Sequence, residues 1–357
     1  MKHSQPYATP TNLCVAPRFG SGRTGVCCSL FAAAMICAVF VSLAPAEPTP
    51  AADNPKALAA LGQGDAAFAR RDYKTAIADY SAAADIDPHF EAAYVHAGDA
   101  YLATDDYASA LGQYQKAMDL GNGDTTACMR HARCAFQLKD INTAMADCNK
   151  ALDIDMRCED AWMFRGDCYS SKSDYTTAAA DYSEAVALDP QSGATWYAAG
   201  FAFVQAHEWQ ASIVPLSLSI KLRPKFAWGY LERGFAHMRL KQDDQAIADE
   251  KTAIALDPKN WLAHLNYGDV LTDMKNYAAA LAELNIAVQL APDQAAAWND
   301  RGPSEYYLGN VQAAIADYRK ALSIDPNFEL AKNNLKAAEQ TLNASDGGNN
   351  NPIRIRQ

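Results

Sequence analysis

Cysteine and histidine side chains cluster in one short part of the sequence, where they could bind a metal ion or form disulfides. Cys128, His131 and Cys134 follow one another at three-residue steps, so they would share one face of a helix. Zinc sites in proteins usually have paired C-x2-C spacing, which this run lacks. We therefore predict no metal site. Five cysteines lie in this part of the chain: Cys128, Cys134, Cys148, Cys158 and Cys168.

Three states remain open for these thiols. Buried, inert thiols are favoured, because free cysteine in apolar surroundings behaves as a small hydrophobic side chain. One or two disulfides come next, since the N-terminus described below resembles an export signal. A metal is the weakest alternative. With five cysteines, one must stay unpaired within this part of the chain.

Catalytic signatures are missing from the sequence. It contains no P-loop, no G-x-S-x-G and no H-E-x-x-H motif. The seven histidines are scattered without a useful spacing. We predict that the protein is not an enzyme and needs no cofactor.

The charge balance restricts the class of partner. Lys and Arg total 31 and Asp and Glu total 42, a net charge of −11. The first 46 residues contribute only Lys2, Arg18 and Arg23, so 28 basic and 42 acidic residues remain, a net charge of −14. A body this acidic repels phosphate backbones, so nucleic acid is excluded as a predicted partner and basic partners are favoured.

The N-terminus differs from the rest in composition. Residues 1–25 form a polar, basic leader, and residues 26–46 are hydrophobic and uncharged. This order is typical of a signal peptide, with cleavage predicted after Ala46. Residues 26–44 are also long enough to stay in a membrane as a single anchor, which would be the only membrane contact. Either way, the remainder would be exported, periplasmic or secreted, or held on the non-cytoplasmic side of a membrane.

Most of the chain repeats itself every 34 residues. Proline, glycine and alanine each recur at this step, for example Gly64 and Gly98, or Ala76 and Ala110. The small residues would let neighbouring helices approach closely, and Asp-Pro pairs would end helices. The register divides residues 57–328 into eight repeats: 57–90, 91–124, 125–158, 159–192, 193–226, 227–260, 261–294 and 295–328.

This period and these residue types resemble the tetratricopeptide repeat (TPR). The fourth repeat shows the family's pattern of large, small and proline positions at Trp162, Gly166, Tyr169, Ala178, Tyr182, Ala185 and Pro190. The resemblance implies an all-α fold, a right-handed TPR superhelical solenoid of eight helix-turn-helix repeats. A linker over 47–56 would precede it. A C-terminal capping helix over 329–342 and a disordered tail over 343–357 would follow it.

Repeat 5 departs most from the pattern. Ser212 and Ser219 replace both alanines, and Leu216 stands where an aromatic residue is usual. Pro215 lies inside the second helix, where it should remove a hydrogen bond to the carbonyl of Ala211 and bend the helix. Two readings are open: tolerated drift, or a change of curvature beside a binding surface.

The resemblance implies that the first helices line a concave groove. In repeats 5 and 6 the groove positions hold large apolar residues. We call them the aromatic stripe: Tyr197, Phe201, Val204, Trp228, Leu231, Phe235 and Met238. Exposed aromatic residues at one face often mark an interaction site. The alternative is that some of them are buried core.

Another groove position, the ninth of each repeat, is often acidic. It holds Asp65, Asp99, Asp167 and Asp269, and Arg133 interrupts the series. These carboxylates would form either a solvated polar face or the acidic ends of an apolar groove. In the second case a protein or peptide partner with basic flanks would fit.

The family's best-known peptide site is not predicted. Chaperone-binding members grip a terminal carboxylate with a clamp of Lys, Asn and Arg, and Leu61, Asp65, Val95 and Asp99 stand at corresponding positions here. We therefore predict no chaperone carboxylate clamp. The sequence favours an exported or membrane-anchored scaffold that binds protein partners in its concave groove. The alternative is a structural subunit of a membrane-associated assembly that docks through its convex or end faces.

Overall fold

The computed structural model describes residues 54–120 and 125–346, and it is helical throughout, with no strand in these ranges. The first eight helices are α1 (Pro55–Ala69), α2 (Tyr73–Ile86), α3 (Glu91–Leu102), α4 (Tyr107–Leu120), α5 (Thr125–Gln137), α6 (Ile141–Ile154), α7 (Glu159–Ser171) and α8 (Tyr175–Leu188). The others are α9 (Gly193–Gln205), α10 (Trp209–Leu222), α11 (Ala227–Arg239), α12 (Asp243–Leu256), α13 (Trp261–Asp273), α14 (Tyr277–Leu290), α15 (Ala295–Tyr307), α16 (Val311–Ile324) and α17 (Glu329–Asp346).

These helices confirm the predicted solenoid of eight helix pairs. Each helix packs on the next, and each odd-numbered helix from α1 to α15 opens a repeat. The more extensive contacts that skip one helix all join odd-numbered helices, such as α11 with α13 and α13 with α15. The first helices of the repeats are therefore closer together than the second helices are. This spacing places the first helices on the inner side of the array's curvature.

The helix boundaries differ slightly from those predicted. The first helix begins at Pro55, inside the predicted linker, because Asn54 caps it by accepting a hydrogen bond from the Lys56 backbone N–H at 3.0 Å. The capping helix α17 runs to Asp346, beyond its predicted end at residue 342. Ala331 and Ala338 on its inner face are fully buried. The rest of the predicted tail, residues 347–357, lies outside the described residues.

The predicted leader and hydrophobic segment, residues 1–46, also lie outside the described residues. Within the part of the chain that is described, none of the helices combines the length and apolar character needed to cross a membrane.

Two backbone devices fix the turn between the helices of a repeat. The first is an aspartate cap on the second helix: Asp72, Asp140 and Asp174 each accept from a backbone N–H three residues on. Hydrogen bonds from the Thr75 side chain and backbone lower the pKa of Asp72. The second device is a left-handed residue that ends each first helix. It has positive φ in every repeat: Arg71, Asp105, Lys139, Ser173, His207, Lys241, Lys275 and Gly309.

A glycine in the first helix lets the second helix approach closely. A Cβ on Gly98 would lie 2.5 Å from Tyr114 Cε1, and one on Gly166 would lie 2.6 Å from Tyr182 Cε1. Real side chains do not pack at such distances, so only glycine fits without a shift of the tyrosine ring. The glycine that recurs in the first helix and the aromatic residue that recurs in the second helix therefore pack against each other.

Repeat 5 keeps its helices despite its unusual residues. Helix α10 is continuous through the buried Pro215. Because proline has no backbone N–H, it cannot donate a hydrogen bond to the Ala211 carbonyl. The bend predicted there stays a prediction. Both serines are fully buried and hydrogen-bonded: Ser212 Oγ donates to the Trp209 carbonyl, and Ser219 Oγ donates to the Gly193 carbonyl, each at 2.8 Å. The hydroxyls therefore replace alanine without an unpaired polar group.

Candidate functional site

The aromatic stripe lies on α9 and α11, two neighbouring inner helices. Tyr197 and Phe201 stack with their ring centroids 6.0 Å apart, and Phe226 meets Tyr197 edge-on at 4.9 Å. Phe235 meets Trp209 edge-on at 5.6 Å. Tyr197 and Phe235 also pack on one buried cluster of Val204, Leu216 and Ala236, and the rings in these contacts remain partly exposed.

The seven residues of the stripe differ in exposure. Val204 and Leu231 are only 2% and 1% exposed, and each lies in a hydrophobic core cluster. Val204 and Leu231 can contribute to the predicted site only by packing beneath its partly exposed side chains. Tyr197, Phe201, Trp228, Phe235 and Met238 are partly exposed. Val204 and Leu231 are therefore core, and the interaction site predicted at the other five residues stays a prediction.

The acidic ninth positions in three repeats serve as hydrogen-bond acceptors within their own repeat. Asp65, Asp99 and Asp167 each accept from the tyrosine hydroxyl that lies 15 residues further on, at 2.9, 2.6 and 2.7 Å. Burial raises the pKa of Asp167 to about 6. These carboxylates are therefore hydrogen-bonded within their repeats, and Asp65 is also exposed to solvent.

Two of these acids, Asp65 and Asp99, also reach the next repeat. Asp65 Oδ1 lies 2.8 Å from His96 Nδ1, and Arg130 Nη1 donates to Asp99 Oδ2. In both pairs the partner is 31 residues further along the chain. At these two junctions a ninth-position acid thus meets a basic residue at the sixth position of the following repeat.

Asp269 has neither the tyrosine partner nor the basic partner described above. Leu284 replaces the tyrosine that would donate to it, and the residue 31 positions on is another acid, Asp300. The pKa of Asp269 is raised by burial first and then by the charges of Asp300 and Asp273. Burial likewise raises the pKa of Asp300 to about 6. Among the described residues, neither carboxylate forms an ion pair.

Two more carboxylates, Glu232 and Glu250, are buried next to the stripe. Burial raises the pKa of Glu232 to about 8, and its charge acts on Tyr197 of the stripe. Glu250 is fully buried and accepts from Asn266 Nδ2 at 3.1 Å through Oε1. The sequence analysis missed both residues. The available signal in the sequence was that Glu250 stands where the other repeats have tyrosine, leucine or, in repeat 3, cysteine.

The histidine of the C-x2-H-x2-C run has a structural partner. His131 Nδ1 lies 2.6 Å from Asp147 Oδ2, and both side chains are buried. Cys134, Cys148, Cys158 and Cys168 are free thiols, and burial raises the pKa of Cys134 to about 11. Among the described residues, no cluster of His, Cys, Asp or Glu is arranged to hold a metal ion.

Arginine takes the place of His131 in three later repeats, a feature that the sequence analysis also missed. Arg165 donates to both oxygens of Asp181, at 2.8 and 2.7 Å, and to Asn149 of the preceding repeat at 2.7 Å. The equivalent pairs are Arg233 with Asp249 and Arg301 with Asp317. Arg165, Arg233 and Arg301 stand at the same position of their repeats, and this recurrence in the sequence could have predicted the pairs. Each fork lies within one repeat, and the third hydrogen bond of the arginine joins that repeat to the preceding one.

The fold and the internal register define a helical-repeat solenoid. Sequence profiles described as tetratricopeptide repeat match more than half of the chain, over residues 51–91, 61–125, 125–156, 159–192, 231–295 and 272–327. The chain therefore belongs to the tetratricopeptide repeat family. None of the matched ranges reaches residues 193–230, which hold the irregular repeat 5 and the start of repeat 6.

Solved structures agree on the fold. A tetratricopeptide repeat protein from Parabacteroides merdae is 16% identical, with 70% of this chain and 98% of that chain covered and a TM-score of 0.53. The C-terminal part of a TPR repeat-containing protein from Cytophaga hutchinsonii is 18% identical, with 66% and 96% covered and a TM-score of 0.52. No curated protein sequence matched the chain significantly. At these identities the likeness shows the fold alone.

Proposed function

We propose that this protein is an interaction scaffold that binds an extended or helical segment of a partner protein along the inner face of repeats 5 and 6. Proteins of this family generally act as protein-binding scaffolds and not as enzymes. The observation that carries the proposal is the aromatic stripe, in which Tyr197, Phe201, Trp228 and Phe235 stay partly exposed on two adjoining helices. Aromatic anchors of this kind typically dominate binding energy.

The charge around the stripe supports a partner with basic flanks. Asp269 holds the ninth position of the next repeat, and Asp300 follows in the repeat after it. The whole chain carries a net charge of −11. Basic residues on either side of an apolar segment would therefore be attracted to the groove and would speed its association.

Alanine variants of the stripe test this proposal. Trp228→Ala and Phe235→Ala should each weaken capture of the partner by the full-length protein, by about 2 kcal/mol or more, without unfolding the array. The partner would first be identified by pull-down and the affinity then measured by calorimetry. Leu58→Ala is the matched control, since Leu58 holds the register position of Trp228 in repeat 1 and is exposed.

Three results would refute the groove as the site. If both aromatic variants fold and bind like the parent, the partner docks elsewhere. Binding lost only by changes on the second helices or at the array ends would favour a structural subunit that docks through those faces. If both variants melt far below the parent, the stripe is core.

We also propose that the repeats lie outside the cytoplasm, after export or on a single N-terminal anchor. The basic leader followed by the uncharged residues 26–46 supports this placement. Reporter fusions at residue 56 should be active only on the non-cytoplasmic side, and activity confined to the cytoplasm would contradict it. N-terminal sequencing of the mature protein separates cleavage after Ala46 from retention.

A further inference from the structure

Two of the free thiols face each other across the junction between repeats 3 and 4. Cys148 lies on α6 and Cys168 lies on α7, and both side chains are fully buried in one hydrophobic core cluster. The two thiols are hydrogen-bonded to each other, and this contact, together with burial, raises the pKa of the Cys148 thiol. The junction therefore holds two sulfur atoms in contact, one from each repeat.

The repeat register independently places these two side chains together. Cys148 holds the twenty-fourth position of its repeat, and Cys168 holds the tenth position of the next repeat. At the junction between repeats 5 and 6 the same two positions hold Leu216 and Ala236, which share a small buried cluster. The tenth position is exposed in repeat 1, at Ala66, and buried in each of the seven later repeats. A tenth-position side chain thus packs against the preceding repeat, as Cys168 does against Cys148.

Side-chain size explains only one member of the pair. In repeat 3 Ala132 replaces the glycine that the other seven repeats have at its position, and Cys148 replaces a larger residue. The smaller Cys148 leaves room for the Ala132 methyl group, and both lie in the same cluster. At the position of Cys168, however, repeats 2, 5 and 6 have alanine, which already fits. Packing alone therefore does not account for a sulfur atom on each side of the junction.

We propose that Cys148 and Cys168 form a disulfide that links repeats 3 and 4 in the exported protein. The described thiols are the reduced form of this pair. The inference rests on the proposed export, because disulfides form and persist in oxidising compartments outside the cytoplasm. The oxidant is a disulfide of another thiol, carried by a protein or by a small molecule.

The reaction is a thiol–disulfide exchange in two steps. One cysteine thiolate attacks a sulfur atom of the external disulfide, forms a mixed disulfide with it and releases one thiol of that reagent. The other cysteine thiolate then attacks the protein sulfur atom of the mixed disulfide, which closes the bond between Cys148 and Cys168 and releases the second thiol. Two electrons pass to the reagent, and the two cysteine protons end on its two thiols.

The disulfide forms during folding, before the junction closes. In the folded array both thiols are fully buried, and the raised pKa of Cys148 disfavours the reactive thiolate. Once the bond has formed, the same burial shields it from reducing thiols. The link between residues 148 and 168 restricts the unfolded chain, so it should raise the ratio of folded to unfolded protein roughly a hundredfold.

Oxidative refolding of the full-length protein tests the pair. The reduced, unfolded chain would be refolded with a mixture of reduced and oxidised glutathione, alkylated to block the remaining thiols, and digested for mass spectrometry. We expect one crosslinked peptide pair that joins Cys148 to Cys168. The refolded product should melt at a higher temperature than the same protein kept reduced.

Two alanine variants make the test specific. Cys168 and Cys134 both hold the tenth position of a repeat, where alanine is common, so both variants should fold. Cys134 lies in a cluster with Tyr114 and without a second cysteine. Cys168→Ala should lose both the crosslinked peptide and the difference in melting temperature between oxidised and reduced protein, whereas Cys134→Ala should keep both.

The same peptide map of protein alkylated inside its own cells separates this inference from the export beneath it. A Cys148–Cys168 link in that protein would support the proposal. Refolding that leaves both thiols free, or joins either of them to a different cysteine, would overturn the pair and leave the export untouched. Free thiols at both positions in protein that the reporter fusion places outside the cytoplasm would also overturn it. A reporter active only in the cytoplasm would refute the export, and the proposed disulfide would fail with it.

Discussion

At the scale of single residues, position within the repeat decides what a charged side chain does. Asp99 accepts from Tyr114 and pairs with Arg130, whereas Asp269 has the same register position but neither partner. The difference follows from which residues stand 15 and 31 positions further along. One carboxylate is therefore a structural acceptor, and the other is held near a second acid.

Glu232 gives a pH prediction at this scale. Burial raises its pKa from the ordinary 4.5 to about 8, so the folded state holds the proton more tightly than the unfolded chain does. The unfolding free energy should then fall as pH rises from about 4.5 to about 8. Glu232→Gln, which stays neutral, should be more stable than the parent at pH 8, by a few kcal/mol at most.

Melting temperatures measured by circular dichroism between pH 5 and 8 check this prediction. Glu184→Gln is the control, because Glu184 is exposed on α8 and its change should leave the pH dependence as it is. Glu250 and Tyr197 face Glu232 and are present in both variants. Equal pH slopes for the parent and Glu232→Gln would show that Glu232 is not the group involved.

At the scale of the element, the repeat depends on close approach of its two helices. The 34-residue step predicted the helix pairs because small residues recur wherever two helices touch. The left-handed turn between the helices could not be predicted in this way. Arg71, Lys139, Ser173 and His207 share its conformation but no residue type. The turn is set by the packing of the helices and not by a local preference for glycine.

A pair of glycine substitutions tests the close approach. In Gly98→Ala the new Cβ would lie 2.5 Å from Tyr114 Cε1, so the ring must move and the free energy of unfolding should fall by about 1–3 kcal/mol. In Gly112→Ala the Cβ meets nothing within 4 Å on an exposed helix, so stability should rise by roughly 0.5–1 kcal/mol. Urea denaturation of both variants measures the two effects. A loss for both, or a gain for both, would contradict the assigned role of Gly98.

At the scale of the whole molecule, the regular repeats and the irregular repeat 5 differ in how they are joined to the preceding repeat. Arg165, Arg233 and Arg301 each join a repeat to the preceding one, so repeats 4, 6 and 8 are fastened by the same device. Repeat 5 lacks such an arginine and carries Pro215 and the aromatic pair Tyr197 and Phe201. The part of the array that departs most from the family pattern thus borders the proposed binding surface.

The sequence predicted the fold well but the site only in part. The aromatic stripe followed from register positions, and burial of Val204 and Leu231 could not be seen because it depends on neighbouring helices. Glu250 and Asp300 were missed for a related reason. Their importance comes from pairs 16 to 31 residues apart that cross from one helix or repeat to the next. A single repeat's pattern carries no information about such pairs.

Site-specific photo-crosslinking tests the central claim, binding on the inner face of repeats 5 and 6, most directly. A photoreactive amino acid would replace Trp228 or Met238 on α11, and in control proteins Gln210 on α10 or Gln245 on α12, both exposed on second helices. The full-length protein would be expressed in its own cell and irradiated. We predict that one partner is crosslinked from Trp228 and Met238 and not from Gln210 or Gln245. A partner crosslinked only from Gln210 or Gln245 would contradict binding in the groove.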